Sequence, residues 1–404
     1  MVIIIGAGIA GLTCAKYLKD RGIQSLILEA SDSIGGRVRT DVYEGYLLDR
    51  GFQILLTAYP ETQRLLNYDS LDLKAFKSGA VIRDNQNNDF SIMANPFKEP
   101  TKIWSSLTSN IGTLADKVRV LRLILDNYNV QEEVFENQGI PTIEYLRKYG
   151  FSEKMIQQFF KPFFGGVFLE NELSTSSNFF KYVFGKFYEG DAVIPAKGIE
   201  QIAKQIEKML YIGTIKLNTK VVKIDGNRVY LENGDKLYGE KVILATDGFH
   251  ADKLLEKNTN KKFNSTTCTY FSADHSPMKE KMLVLNPNRA SLIHNMCVPS
   301  DIAPFYAPIN KTLISVSTQG FKPENEVESA KNIKKELITW YGKEVADWQH
   351  LKTYYIPQAL PNFNNNQSGK NLKINDILYQ CGDTSAYPSL NAAMSTGRKV
   401  AEMI

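Results

Sequence analysis

The feature that most constrains this chain lies at its first residues. Val2 to Ile5 is a β-branched apolar run, the composition of a central parallel strand buried on both faces. It leads directly into Gly6-Ala7-Gly8-Ile9-Ala10-Gly11. A helix is predicted next, with Leu12, Ala15 and Leu18 on one face and Lys16, Lys19 and Asp20 on the other. Gly22 ends it, and Ser25 to Leu28 reads as a second parallel strand followed by an acid, Glu29. Gly6 permits a tight turn, Gly8 lets the backbone approach a pyrophosphate, and Gly11 lets the helix pack closely on the strand. The free N–H groups of the helix start, with its dipole, are suited to phosphate. Glu29, with Ala30 beside it, is placed to accept from ribose hydroxyls. A glycine-rich turn alone is weak evidence. Strand, glycines, helix, strand and acid in this order point to a dinucleotide site.

Composition narrows the field. A chain of 404 residues is too long for one compact core and implies two intertwined domains or an inserted lobe. A net charge of +4 over that length gives no argument for nucleic acid. The four cysteines and four histidines are scattered, without metal-ligand spacing, so neither a zinc site nor a disulfide scaffold is expected. Scattered thiols fit a reducing cytoplasm. No segment approaches the ~18 apolar residues of a membrane span.

Further motifs choose between dinucleotides. After Glu29 come Gly35-Gly36-Arg37, a second glycine pair with an arginine suited to a longer, buried pyrophosphate. Near the other end stand Gln380-Cys381-Gly382-Asp383 and a helix with Ala392, Ala393, Ser395 and Gly397, small where a bulky ligand needs room. These motifs, with Leu48-Asp49-Arg50-Gly51-Phe52-Gln53-Ile54 and the segments Val221–Ile224 and Lys241–Asp247, resemble the superfamily of flavin-containing amine oxidases, protoporphyrinogen oxidases and phytoene desaturases. The resemblance covers essentially the whole chain.

It implies an α/β fold: a Rossmann-type FAD-binding domain with an inserted α+β substrate domain. The expected division is 1–75, 191–260 and 360–404 for FAD, and 76–190 with 261–359 for substrate. It implies FAD contacts from Gly6, Gly8, Ile9, Ala10 and Gly11 at the pyrophosphate, and from Glu29 and Ala30. Gly35, Gly36 and Arg37 join the pyrophosphate, and Gly51, Phe52, Gln53 and Ile54 pass the reactive ring. Val221 meets the adenine, Gly382 and Asp383 the flavin chain, and the helix start at Asn391 and Ala392 the pyrimidine edge.

Residues 76–190 are richer in helix and aromatics. Ile103, Leu107, Ile111, Leu114, Val118, Leu121 and Leu125 form an amphipathic stripe, expected to pack on the core rather than on lipid. The run Phe159 to Phe168 reads as core. Residues 262–355 read as strands with a helix near 326–341, and Gln358, after Ile356-Pro357, as a turn.

The chemistry expected is hydride transfer from a carbon of a lipophilic small molecule to flavin N5, with oxygen or a quinone-like acceptor for reoxidation. No side chain stands out as a catalytic acid or base. Amine oxidases of the superfamily carry an aromatic residue where this chain has Ser389, which favours C–C over C–N oxidation. The alternatives are an amine oxidase, a non-catalytic flavin-binding module and an NAD-dependent dehydrogenase. The expected location is cytoplasmic, with peripheral membrane contact as an option.

Overall fold

The computed structural model describes residues 1–84, 89–258, 262–364 and 371–404. The expected boundary at 260/261 and residues 365–370 of the expected C-terminal stretch lie outside the described residues.

In chain order, the elements that frame the site are β1 (Val2–Ile5), α1 (Ile9–Asp20), β2 (Ser25–Leu28), α2 (Pro60–Leu65), α3 (Ile103–Thr108), α4 (Leu114–Asp126) and α5 (Ser177–Glu189). They continue with β3 (Ile215–Lys216), β4 (Lys241–Leu244), β5 (Leu378–Gln380) and α6 (Leu390–Met403). The five strands form one parallel sheet in the order β3-β2-β1-β4-β5. All four residues of β1 are buried, as a strand covered on both faces requires. The fold is therefore α/β.

A second, seven-stranded sheet is built from Gly79–Asp84, Asp89–Ala94 and five strands between Phe263 and Pro361. Helix Glu326–Tyr341 packs on it through Ile333, Leu337 and Trp340. Phe160, Phe164 and Phe168 are buried among other rings, so the aromatic run is core. Gln358 lies inside the strand Gln349–Pro361, not in a turn. The strand register slips between Asn264 and Thr266, and this bulge accommodates Pro357, which has no N–H to give the ladder.

The amphipathic stripe does not pack on the core. Only Ile111 of the seven is buried, whereas Leu114 is 68%, Val118 61% and Leu125 74% exposed. Trp104 and Phe97 are exposed beside them. The helix α4 carries two apolar faces, and Val120, Leu123 and Ile124 take the inward one. The choice is made by Asp116, which is fully buried. Its carboxylate accepts from the Thr113 N–H and hydroxyl in a capping box, and from the Ser152 N–H at 2.9 Å and hydroxyl at 2.6 Å. Among the described residues no helix is long and apolar enough to cross a membrane.

One buried group sets an acid limit on stability. His294 faces the glycine pair of residues 165–166, its Nε2 has no hydrogen-bond partner among the described residues, and burial with nearby Arg289 pushes it down to about 3. The unfolded chain takes up a proton near pH 6.5 while the folded chain refuses it. Stability is thus full above pH 6.5 and falls by about 1.4 kcal/mol per pH unit below it. Urea unfolding of His294→Leu between pH 7 and 4.5 is expected to show a shallower acid limb than the parent; parallel limbs would remove His294 as the cause.

Candidate functional site

The register of the parallel sheet brings four strand ends to one edge. Ile5 pairs with Leu28 and Leu244, and Leu244 pairs with Gln380. The residues just beyond, Gly6, Glu29, Ala245 and Cys381, therefore open onto one crevice, where α/β sheets take their ligands.

Gly6 turns with φ +106°, and a Cβ there would stand 3.0 Å from the Ala245 carbonyl oxygen. A Cβ on Gly11 would lie 2.1 Å from the Gly6 carbonyl oxygen, so the helix meets the strand at van der Waals limit. Gly8 differs, because a Cβ on it would meet none of the described residues within 4 Å. Gly8 caps α1 without any side-chain bond. Among the described residues, none accepts from the N–H groups of Gly8, Ile9, Ala10 or Gly11. That is a ring of unsatisfied donors at the positive end of a helix dipole.

The second glycine pair folds over the first loop. Gly35 donates to the Ala7 carbonyl at 2.8 Å and bridges to Gly8, and a Cβ on Gly36 would stand 3.3 Å from the Gly8 Cα. Arg37 then reaches across the crevice. Its guanidinium donates to Asp383 at 2.7 Å and to the Ala359 carbonyl at 2.9 Å. Burial opposes its charge, but Asp383 more than offsets this and holds the guanidinium above its ordinary value. Gln53 donates to the Arg37 carbonyl at 2.8 Å, which ties the 51–54 stretch to the same loop. Gly51 lies against Ile356 of the larger sheet, Phe52 meets Phe76 edge-on, and Ile54 packs into the cluster around Tyr46 and Tyr306.

Glu29 sits opposite, half-buried. Its carboxylate accepts from the Ala7 N–H at 2.7 Å and from the Ser31 N–H at 2.9 Å. Ala30 is exposed beside it. The Thr219 N–H donates to the Glu29 carbonyl at 2.7 Å, so Val221 follows two residues away on the same side.

From the C-terminal side, Gly382 takes φ +131° and donates to the Thr396 hydroxyl at 2.9 Å. Asp383 is nearly buried. A Cβ on Gly397 would stand 2.4 Å from the Ala10 carbonyl oxygen, so α6 crosses α1 in direct contact. The two termini of the chain thus build one cradle.

The start of α6 departs from expectation in detail. The Asn391 side chain turns away, into α2 and α5: it accepts from the Glu61 N–H at 2.9 Å and donates to the Tyr387 hydroxyl at 2.8 Å. The Ala392 N–H is taken by the Ser389 hydroxyl at 3.0 Å. The donors left without a protein acceptor among the described residues are the N–H groups of Leu390 and Asn391.

Sequence reasoning passed over Asp49, a buried carboxylate at the end of the strand Tyr46–Asp49. It accepts from Thr40, Tyr306 and the Ile199 N–H, and burial still pushes it up to about 6. Its position in Leu48-Asp49-Arg50 is the only sequence signal, since its partners are distant in the chain.

A crevice that ends four parallel strands, lined by free amides and one arginine, suits a dinucleotide diphosphate. Comparison with known proteins decides which kind. The family model described as flavin containing amine oxidoreductase matches residues 9–404. The chain belongs to that family. As a member it is an oxidoreductase with FAD as its cofactor. A 15-cis-phytoene desaturase of Glycine max is 26% identical over 267 residues, which are 61% of this chain and 47% of that protein. Protoporphyrinogen oxidase 2 of Arabidopsis thaliana is 25% identical over 168 residues, 41% of this chain and 32% of the relative. The chain thus spans less than half the length of these curated relatives. An oxidoreductase structure from Methanosarcina mazei superposes with a TM-score of 0.77 at 17% identity, covering 99% of both chains, which shows the shared fold.

Proposed function

We propose that this flavin-dependent oxidoreductase oxidises a C–C bond of a lipophilic small molecule, of the isoprenoid, polyene or porphyrinogen-like kind. Bound FAD supplies a hydride acceptor at N5. One carbon would give up hydrogen with its electron pair to that acceptor, the neighbouring carbon would release a proton to solvent water, and a double bond would form between them. Oxygen or a quinone-like molecule takes the electrons afterwards.

The chain's own residues have the following parts in this reading. The amides of Gly8, Ile9, Ala10 and Gly11, with Gly6, Gly35, Gly36 and Arg37, hold the diphosphate. Glu29, Ala30 and Val221 receive the adenosine end. Gly382 and Asp383 meet the flavin chain, and Gly51 to Ile54 line the ring. The N–H groups at the start of α6 stabilise negative charge on the pyrimidine side. The parallel sheet belongs to the FAD domain of residues 1–75, 191–260 and 360–404, and the seven-stranded sheet to the substrate domain.

The observation that carries the C–C reading over amine oxidation is the state of Ser389 and Tyr387. Ser389 caps α6 with its hydroxyl. Tyr387 is buried, stacked on Phe135 with ring centres 4.4 Å apart, and bonded to Glu132 at 2.7 Å. Neither side chain is free to form an aromatic cage for an amine. In anaerobic mixing, polyenes or porphyrinogens are expected to bleach the flavin band near ~450 nm, and simple primary amines are not. Turnover of primary amines with peroxide release, and none of the lipophilic donors, would overturn the proposal.

A peripheral membrane contact is the second reading, supported by the exposed face of α3 and α4. Trp104, Leu114, Val118 and Leu125 stand outward, with Lys117, Arg119 and Arg122 between them, the pattern of a helix seated in a lipid interface. The chain is expected to co-sediment with vesicles containing anionic lipid. The variant Trp104→Ser/Leu114→Ser/Leu125→Ser should remain in the supernatant. A parent that never sediments would end this reading.

A further inference from the structure

We infer that Asn391 is a positioning residue, which fixes the direction in which the first amides of α6 point at the flavin. The inference rests on the reading above, in which those amides face the pyrimidine edge.

Asn391 is fully buried and its side chain is the meeting point of several separate segments. Its carbonyl oxygen accepts from the Glu61 N–H of α2 at 2.9 Å. Its amide nitrogen lies 2.8 Å from the Tyr387 hydroxyl, 3.1 Å from the Tyr182 hydroxyl of α5 and 3.1 Å from the Glu132 carboxylate. Tyr387 in turn donates to Glu132 at 2.7 Å, and Lys399 approaches the other Glu132 oxygen at 3.3 Å. The first turn of α6 is therefore held from α2, from α5 and from the segment containing Glu132.

Holding two helices together does not require this network. Arg398, about two turns along α6, already grips Glu61 of α2 with two bonds, at 2.7 and 3.0 Å. Asn391 adds a second tie only at the end of α6 that carries the unpaired amides of Leu390 and Asn391. The field of a helix end falls off within a turn, and a donor acts on developing charge only if it is already aimed. Without the Asn391 amide, Glu61 N–H and two tyrosine hydroxyls lose a buried partner, and the first turn must shift to recover one.

The test uses the FAD-loaded protein and two readings of charge at the pyrimidine side: sulfite affinity, because sulfite adds to N5 and leaves negative charge on that ring, and the two-electron midpoint potential. Asn391→Ala is expected to bind sulfite about tenfold more weakly, with a potential lower by about 30 mV. Tyr387→Phe keeps the ring and removes one hydroxyl, and should shift both readings the same way by less. Arg398→Met should lower the thermal midpoint and move neither reading. Parental sulfite affinity and potential in Asn391→Ala, or in Tyr387→Phe should the first variant not fold, would overturn the inference. An Arg398→Met shift as large as that of Asn391→Ala would also overturn it, by showing that general loosening suffices. A parent protein that takes up no FAD would instead defeat the cofactor geometry on which this rests.

Discussion

Replacing Gly8 with valine is expected to leave the flavin-free chain as stable as the parent and to weaken FAD binding by about a hundredfold or more, roughly 2.7 kcal/mol. Gly8 has φ −70° and ψ 176°, extended backbone that valine adopts readily. A Cβ at this position meets none of the described residues within 4 Å, which leaves room for it. That room is where the diphosphate must approach the backbone amides. Gly11→Ala is expected to behave in the opposite way. Alanine favours a helix, but its Cβ would stand 2.1 Å from the Gly6 carbonyl oxygen. The helix or the strand must move, at a cost of about 3 kcal/mol or more in the flavin-free state. Calorimetry must compare flavin-free proteins, because bound FAD itself raises the midpoint. FAD titration followed by fluorescence supplies the affinities. A Gly8→Val protein that holds FAD as tightly as the parent would remove the diphosphate from this loop.

Arg37→Met is the second large effect. Arg37 and Asp383 are 346 residues apart in sequence and 2.7 Å apart in space. Removing the guanidinium strands a nearly buried carboxylate, although the Thr384 N–H still donates to it at 3.0 Å. A buried pair costs about 3–5 kcal/mol to break from one side. The Arg37 side chain is 36% exposed, and solvent screening lowers the expected loss to about 2 kcal/mol. FAD affinity should fall as well, by about a hundredfold, because a planar charged fork facing the diphosphate is lost. The double variant Arg37→Met/Asp383→Asn separates the two effects. It should recover much of the stability, since no charge is left unpaired, and none of the affinity. Urea unfolding and FAD titration of the three variants check this. A double variant as unstable as Arg37→Met alone would show that the pair is not what stabilises the crevice.

The sequence made some parts of this architecture legible and hid others, for identifiable reasons. The N-terminal loop was readable because Gly6 and Gly11 answer a local demand of backbone on backbone and Gly8 leaves room for a ligand, and local demands leave local marks. Gly382-Asp383 by itself is an ordinary turn, and only its likeness to a family motif singled it out. That Arg37 would meet Asp383 was not readable, since the contact is made by the sheet order, which places β5 at the sheet edge, two strands from the central β1. Helix α4 defeats periodicity because it has apolar residues on two faces. Its orientation is decided by the Asp116–Ser152 bonds, which no hydrophobic pattern records. Asn391 was placed correctly on the first turn of α6, but its side-chain direction depends on Glu61, Tyr182 and Glu132, all remote in sequence.

The central claim is that amides from the first dozen residues and the Gly382-Asp383 turn close on one FAD molecule. Its most direct measurement is the amount and identity of nucleotide released by denaturing the purified protein, after saturation with FAD and removal of the excess. About one FAD per chain is expected, lost in Gly8→Val while the polypeptide stays folded. A colourless parent that retains no FAD and binds NAD instead would contradict the account.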